Sequence, residues 1–268
     1  MATMKKIIFS VMAILFLMSA EAQDNSDSKK KRKEEKRERI NAIIRQEEEG
    51  VITYKKHFAV GFKLTNDGYG GFIEIGRARS IRKSMLYQLE ITERKNHKEE
   101  KLESLIYGGT SPFIFGKINY FYPIKIGAQF QYLLGNKGNK NGVSLSANAG
   151  GGFVLGLLRP YLVEVEKNPG EFQYVGYNSP DSAFFLNPNS IAGGPNLGTG
   201  WSNMEVVPGA YVKTGLRFDY GKYNEMISAL EVGITGEFYS KKVPQMIYIE
   251  QKQFFLSAYV TLMFGRRK

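Results

Sequence analysis

Long runs of apolar and polar residues that alternate with a period of two constrain this chain more than any other feature. The clearest run is 209–220, GAYVKTGLRFDY, in which Leu216 lies on one face and Arg217 on the other. Successive side chains point to opposite faces of a strand, whereas a helix groups residues three and four apart. The pattern therefore predicts β-strands from about residue 57 to the end of the chain.

Nine further segments show the same alternation with different clarity. The clear ones are 57–65, 84–93, 123–134, 143–157, 227–239 and 253–264, and the weaker ones are 69–78, 111–120 and 243–250. Together with 209–220 they predict about ten strands. A hairpin over 161–166 and 171–177, with its turn at Asn168-Pro169-Gly170, would raise the number to twelve.

A soluble β-sandwich also alternates, so the choice between water and membrane depends on other features. The strands are about 10–14 residues long, which suits a tilted strand that crosses a bilayer. Their apolar stripes run the whole length, and aromatic residues cluster at strand ends, as in Tyr120-Phe121-Tyr122. These features favour an all-β fold: a transmembrane antiparallel up-and-down β-barrel of about 10 strands, in a range of 8–12.

The start of the chain has the three parts of a secretory leader. Lys5 and Lys6 precede the apolar run 7–18, and Ala20-Glu21-Ala22 has the small residues of a cleavage site. The apolar run is too short to span a bilayer. Residues 1–22 are therefore predicted to be a signal peptide that is cleaved after Ala22. Export leaves several envelope locations open, and the strand pattern favours the outer membrane.

A charged segment and the barrel follow the leader. Residues 23–50 carry blocks of charge and are predicted to form a solvated periplasmic tail. Ile40, Ile43 and Ile44 would share one helix face, so the tail is expected to be partly helical. Residues 51–268 then form the barrel, with a long loop at about 159–204. With ten strands and an outward-running first strand, this loop would lie on the periplasmic side, where turns are usually short, so its side stays open.

Charge and cysteine content narrow the classes of function. The chain has no Cys, which removes disulfides, thiol catalysis and Cys-ligated zinc. The net charge of +11 is spread over strands and turns and accompanies no nucleic-acid motif. We therefore expect outer-membrane lipid, and other envelope proteins, as partners and no nucleic acid.

The inward faces of the strands carry charges of both signs. A small barrel fills its interior with side chains, and charges buried there must be paired. The predicted lumen charge network is Lys63, Glu90, Lys117, Lys125, Lys213, Arg217, Asp219, Glu231 and Glu237. A salt-bridged core is the favoured interpretation, and a narrow polar conduit is the alternative.

No catalytic, metal-binding or cofactor-binding constellation stands out. The chain has two histidines, His57 at the start of a strand and His97 in a charged loop, and no serine in a recognisable catalytic motif. The long loop does contain Phe184, Phe185 and Trp201 among Asn and Gly residues. These aromatics would form either a partner-binding surface or an anchor at the membrane interface.

The signal peptide, the alternating strands and the closing LSAYVTLMFGRRK together resemble outer-membrane β-barrel proteins of Bacteroidota. The resemblance covers about 57–268 and is one of pattern. Phe264 is followed by four more residues, whereas such barrels commonly end on the aromatic. The expected function is a non-enzymatic barrel that serves as a structural or accessory component of a cell-envelope complex. The alternatives are a small passive channel and a lipid-modifying barrel enzyme.

Overall fold

The computed structural model describes residues 32–35, 37–38, 54–104, 111–137, 142–221 and 225–268. The chain divides into two units, 1–53 and 54–268. In the first unit, 32–35 and 37–38 are helical. The predicted signal peptide and the isoleucine stripe of the tail lie outside the described residues. No helix in the described part of the chain is long and apolar enough to cross a membrane.

The second unit consists mainly of strands. In chain order these are β1 (Lys56–Thr65), β2 (Gly68–Ala78), β3 (Lys83–Arg94), β4 (Lys101–Leu102), β5 (Phe113–Ile114), β6 (Asn119–Gly135), β7 (Ser144–Pro160), β8 (Leu162–Asn168), β9 (Glu171–Gly176), β10 (Ile191–Gly193), β11 (Glu205–Asp219), β12 (Met226–Val243) and β13 (Lys252–Arg267). A short helix, α1 (Ser182–Phe185), precedes β10.

Eight of these strands close an antiparallel barrel. They follow one another around it in chain order, β1, β2, β3, β6, β7, β11, β12 and β13. β13 pairs with β1, so that Val60 lies opposite Phe264 and no edge is left open. The architecture is therefore the predicted up-and-down barrel with eight strands, at the lower limit of the expected range.

Two of the ten predicted strands are wrong as barrel strands. In 111–120, only Phe113 and Ile114 form a strand, which pairs with β4 outside the barrel, and Asn119 already begins β6. In 243–250, Val243 ends β12 and Met246 makes an isolated bridge with Lys117. These short segments alternate by chance, because a pattern with a period of two repeats within only a few residues.

The strand number fixes where the long segment lies. We call the end of the barrel that carries both strand termini, Lys56 and Arg267, the termini end, and the opposite end the loop end. The described residues of the turns 79–82, 136–143 and 220–225 lie at the termini end, and those of 95–118, 161–204 and 244–251 lie at the loop end. Eight strands thus separate the long segment from the termini, which removes the conflict that ten strands would create.

The predicted faces of the strands are confirmed. In β11, Val212 and Leu216 are exposed on the outer face, and Lys213 and Arg217 are buried inside. β13 repeats the pattern, with Leu256 outside and Tyr259 inside. An outer surface of apolar side chains therefore surrounds an interior of polar and charged ones, the reverse of a soluble protein.

The predicted hairpin over 161–177 exists, but it stands outside the barrel wall. β8 and β9 pair across a turn in which Gly170 has a φ of 82°, and β10 adds a third strand. Their apolar faces bury a small core. Its members are Phe113, Tyr161, Val163, Val165, Val175, Phe185 and Ile191.

The segments of the loop end are joined into one body, which we call the cap: the described residues of 95–118, 161–204 and 244–251. Backbone Gly194 N donates to Ser111 O, and Ile118 N donates to Gln245 O. The Tyr161 hydroxyl accepts from Ile114 N at 2.8 Å, and burial raises the pKa of that hydroxyl. The cap is therefore a folded structure with its own core rather than a set of separate loops.

Candidate functional site

The candidate site is a set of charged side chains inside the barrel, which we call the interior network. Its four carboxylates are Glu74, Glu90, Glu231 and Glu237, and its five cations are Lys63, Arg94, Lys125, Lys213 and Arg217. All nine are at most 6% exposed. Alternation places them there, because their neighbours on the same strand face outward.

Arg217 organises the part of the interior network nearest the termini end. Its guanidinium donates two hydrogen bonds of 2.7 Å to Glu74, and its Nε donates to Glu231 at 2.8 Å. His57 adds a contact of 3.1 Å between its Nε2 and Glu74 Oε1. This forked geometry is the strongest that a carboxylate and a guanidinium can make.

Glu90 is the centre of the middle part. Lys63 Nζ lies 2.8 and 2.9 Å from the two Glu90 oxygens, and Lys125 Nζ donates to Oε1 at 2.7 Å. Lys125 also lies 2.9 Å from Glu237 Oε1, which links the middle part to the next carboxylate. Lys213 Nζ is 3.5 Å from Glu231 Oε1 and connects to the part around Arg217.

Arg94 completes the interior network towards the loop end. It donates two hydrogen bonds of 3.0 Å to Glu237, and its Nε lies 2.7 Å from Asp67 in the β1–β2 turn. The Tyr239 hydroxyl donates to Glu237 at 2.7 Å. Counting Asp67, five carboxylates face five cations, so the described interior is balanced in formal charge.

Aromatic rings surround Arg94 in the lumen at the loop end. Phe121, Tyr239 and Phe255 meet with centroid distances of 5.3–5.8 Å. The guanidinium of Arg94 lies 4.7 Å from the centre of the Phe255 ring. These side chains and their apolar neighbours narrow the lumen at the loop end, and Arg94 contacts both the rings and Glu237.

Neutral polar groups fill the space between the charges. Gln129 donates to Gln88 at 2.6 Å, Lys213 donates to the same Gln88 oxygen at 2.9 Å, and Tyr259 donates to Glu231 at 2.8 Å. Thr235 Oγ1 and Thr261 Oγ1 are buried without a hydrogen-bond partner among the described residues. The lumen is therefore a packed polar core in which a few polar atoms have no hydrogen-bond partner among the described residues.

Seven of the nine predicted lumen charges belong to this interior network, and two do not. Lys117 was assigned to a strand that does not exist. It lies in the cap, where it pairs with Glu99 at 2.6 Å and burial lowers its pKa. Asp219 does face inward, at the termini end of β11, but it pairs with Arg267 and Lys137 rather than with the interior network.

Sequence reasoning missed Glu74 and Arg94. Glu74 lies between Ile73 and Ile75 in β2, so the weakly predicted segment 69–78 already contained the signal. Arg94 follows Thr92 on the inward face, one residue beyond the predicted end of β3. Extending the predicted strand by one residue would have found it.

The three aromatics of the long loop have different environments. Phe185 is 1% exposed and belongs to the core of the cap, so its ring is not available to a partner. Phe184 packs against the same core. Trp201 is half exposed and stacks on Tyr122, with ring centroids 6.0 Å apart. Tyr122 shares the outward face of β6 with the exposed Ile126, so Trp201 lies against the outer wall of the barrel.

Arg159 is inserted into this outer aromatic cluster. Its guanidinium lies 4.1 Å from the centre of the Tyr120 ring and 4.8 Å from that of Trp201. No carboxylate among the described residues lies within ion-pair distance of it. Aromatic rings with a cation at a barrel rim are typical of the boundary between lipid and water.

The histidines do not meet a nucleophile in the described part of the chain. His57 contacts Glu74 in the interior, and His97 lines a recess of about 330 Å³ at the loop end with Asp67, Arg94 and Phe255. No group of three His, Asp or Glu residues suited to a metal ion occurs among the described residues. The chemistry visible in this site is ion pairing.

Comparison with known proteins finds a distant similarity to solved β-barrel structures. No family model and no curated protein sequence matches the chain. Among solved structures, the chain is similar to the N-terminal β-barrel domain of Pseudomonas aeruginosa OprF, with 11% identity, a TM-score of 0.32, and coverage of 79% of this chain and 98% of that one.

Two other matches are of the same kind. Neisserial surface protein A (NspA) is 14% identical, with a TM-score of 0.37 and coverage of 80% and 96%. Ail, the attachment invasion locus protein of Yersinia pestis, in complex with the heparin analogue sucrose octasulfate, is 9% identical, with a TM-score of 0.36 and coverage of 81% and 100%. All three are outer-membrane β-barrel proteins. At these values the likeness is distant, so what this barrel does has to follow from its own residues.

Proposed function

We propose that this chain is a non-enzymatic outer-membrane β-barrel that acts as a structural or accessory component of a cell-envelope complex. The observation that carries the proposal is the interior network inside an apolar outer wall. A wall with side chains such as Phe62, 74% exposed, and Phe153, 78% exposed, requires lipid, because soluble proteins rarely expose such continuous apolar surface.

The interior network favours a structural barrel over a channel. Each carboxylate in it contacts at least one cation, and the aromatic rings lie across the lumen at the loop end. An eight-stranded barrel has an interior just wide enough for side chains to fill. Solute passage would require several buried ion pairs to separate together, which is costly.

The cap supplies the surface through which such a barrel would act. It has its own core, and it exposes apolar side chains that no described residue covers, among them Tyr248, 76% exposed, and Leu186, 42% exposed. An aromatic on a rigid body is well suited to bind a protein partner, since little conformational entropy is lost on binding.

The location is tested by expressing the full chain in a Gram-negative host and separating the membranes by density. We expect the protein in the outer membrane, with Gln23 as the first residue of the mature chain. Release into the soluble fraction without detergent would contradict the proposal, because the exposed apolar wall could not then lie in lipid.

The accessory role is tested by purification in mild detergent after cross-linking in cells. We expect one envelope protein to co-purify in fixed stoichiometry, and to be lost from the Tyr248→Glu variant. The matched control is Tyr220→Glu, at the termini end, which changes an equally polarisable exposed ring far from the cap. The accessory role is wrong if both variants retain the same partner, or if no partner co-purifies with the wild type.

A further inference from the structure

One side of the termini end carries a concentration of positive charge that the barrel itself does not use. We call it the basic patch. It comprises Lys55, Lys56, Arg77, Arg79, Arg82, Lys83, Arg266 and Lys268, all exposed. None of the eight makes an ion pair with another described residue. They come from the neighbouring strands β13, β1, β2 and β3, from the residues next to β1 and β13 at this end, and from the turn that joins β2 to β3.

Strand register brings these cations together. Lys56 lies directly opposite Arg77, and Arg266 lies opposite Phe58. Across the β2–β3 turn, Arg79 N donates to Lys83 O at 2.9 Å. Like charges directly opposite one another in a sheet are destabilising. The fold therefore holds the cations close to one another without internal compensation.

Carboxylates near the basic patch do not neutralise it. Asp219 is buried and pairs with Arg267, which is not part of the patch. Glu225 makes no ion pair with any described residue, although its backbone oxygen accepts from Arg267 N. The compensating negative charge has to come from outside the described residues.

The height of the basic patch on the wall indicates the source of that charge. Lys56, Arg77 and Arg266 continue the outward rows of Phe58, Ile75 and Phe264, one step beyond the last apolar residue. In a bilayer this level is the headgroup layer, and long cationic side chains reach phosphates there while their stems stay in apolar surroundings.

Among the described residues, the outward rows of the other half of this end finish on apolar side chains, and the cation Lys137 there contacts Asp219 at 3.6 Å, so the cations without an ion pair lie on one side. At the corresponding level, β6 exposes Leu134 and β12 exposes Met226. Val143, which directly precedes β7, is exposed as well. Cations that served only to fix the height of the barrel in the membrane would be spread around its whole circumference. A one-sided patch instead suits a bound, localised group of negative charges.

We infer that the basic patch binds the phosphate groups of anionic phospholipids in the leaflet at the termini end. The inference rests on the proposed membrane location. Each Lys or Arg near an anionic surface strengthens binding about fivefold, roughly 1 kcal/mol, so four of them should select an anionic lipid strongly over a zwitterionic one.

The test uses the full chain reconstituted in vesicles of phosphatidylcholine with a fifth of phosphatidylglycerol. Spin-labelled lipid of either headgroup reports the fraction immobilised at the protein surface. We expect phosphatidylglycerol to be enriched severalfold over phosphatidylcholine, and the combined change Lys56→Gln, Arg77→Gln, Lys83→Gln and Arg266→Gln to abolish the enrichment.

The matched control removes four positive charges at the loop end instead, by Lys98→Gln, Lys101→Gln, Lys241→Gln and Lys242→Gln. This variant should retain the enrichment. Equal selectivity in both variants, or none in the wild type, would overturn the inference while leaving the barrel in the membrane. Failure of the wild type to insert into any vesicle would overturn the membrane location as well. Loss of the lipid selectivity on adding a short oligonucleotide, with tight binding of that oligonucleotide, would assign the basic patch to a soluble polyanion instead.

Discussion

At the scale of single residues, the interior shows how a buried charge determines its neighbours. Arg217 is 4% exposed and satisfies two carboxylates at once. Removing one member of such a group leaves a buried charge without compensation, which costs more than the group contributes when complete. The most informative substitutions are therefore those that separate the two effects.

We predict that Arg217→Met lowers the free energy of unfolding by about 3–5 kcal/mol, because Glu74 and Glu231 lose their guanidinium partner. The measurement is urea unfolding of the reconstituted protein, followed by the fluorescence of its single Trp. The control is Arg266→Met, which removes an exposed cation with no ion pair and should change little. Adding Glu74→Gln to Arg217→Met should restore part of the loss; strictly additive effects would mean that the two side chains do not interact.

At this scale the sequence predicted most of the charged residues that face the interior, but not which of them pair with one another. The alternation identified seven members of the interior network because each strand reports its own inward face. The bond between Arg217 and Glu74 joins residues 143 positions apart. Which charges meet across the lumen depends on strand number and register, and Lys117 shows the consequence: one false strand placed a cap residue in the lumen.

At the scale of elements, glycines in β7 allow close contact with the neighbouring strands β6 and β11. A Cβ added to Gly152 would lie 2.2 Å from Ile126 O, and one added to Gly151 would lie 2.4 Å from Tyr211 O. Both contacts are with backbone of neighbouring strands, which cannot move aside. Glycines inside strands commonly mark such bends and close approaches.

We predict that Gly152→Val costs about 1–3 kcal/mol or prevents closure, since the new side chain overlaps the wall. Gly135→Val is the control, because a Cβ at Gly135 meets nothing within 4 Å. The readout is the gel-mobility difference between heated and unheated samples, which reports the closed barrel. Normal closure of the Gly152 variant would show that the strands can separate at this point.

The outward rows make a second prediction at this scale. Val212 lies near the middle of β11, and Met226 lies at the termini end of β12; both are exposed and apolar. Val212→Arg should cost about 2–4 kcal/mol in lipid and Met226→Arg only about 0–1, because the penalty for a charge falls towards the interface. Unfolding in vesicles measures both. Equal, small costs would mean that the wall faces water.

At the scale of the whole molecule, the two ends of the barrel have different compositions. The loop end carries a folded cap with exposed aromatics, and the termini end carries short turns and the basic patch. Between them, the interior network and the Phe121–Tyr239–Phe255 cluster fill the lumen. The packed lumen therefore separates the surfaces at the two ends. This arrangement predicts how the protein behaves when a voltage is applied across the membrane.

We predict no stable open channel when the purified protein is inserted into a planar bilayer. Open aqueous channels occur in barrels of about 16 strands, and this one has eight, with its lumen occupied by paired charges. Glu237→Gln should lower the stability through its lost bonds to Arg94 and Lys125, yet leave the conductance near zero, because the aromatic cluster remains.

The variant Lys213→Glu distinguishes a sealed lumen from a narrow conduit. In a sealed lumen it places a second carboxylate beside Glu231 and reduces stability without ion flow. In a conduit it would instead shift the selectivity of a measurable current towards cations, since a reversed charge on the wall changes which ion is attracted. A steady wild-type current with such a shift would make this protein a channel, and the ion pairs of the interior network would then have to open during conduction.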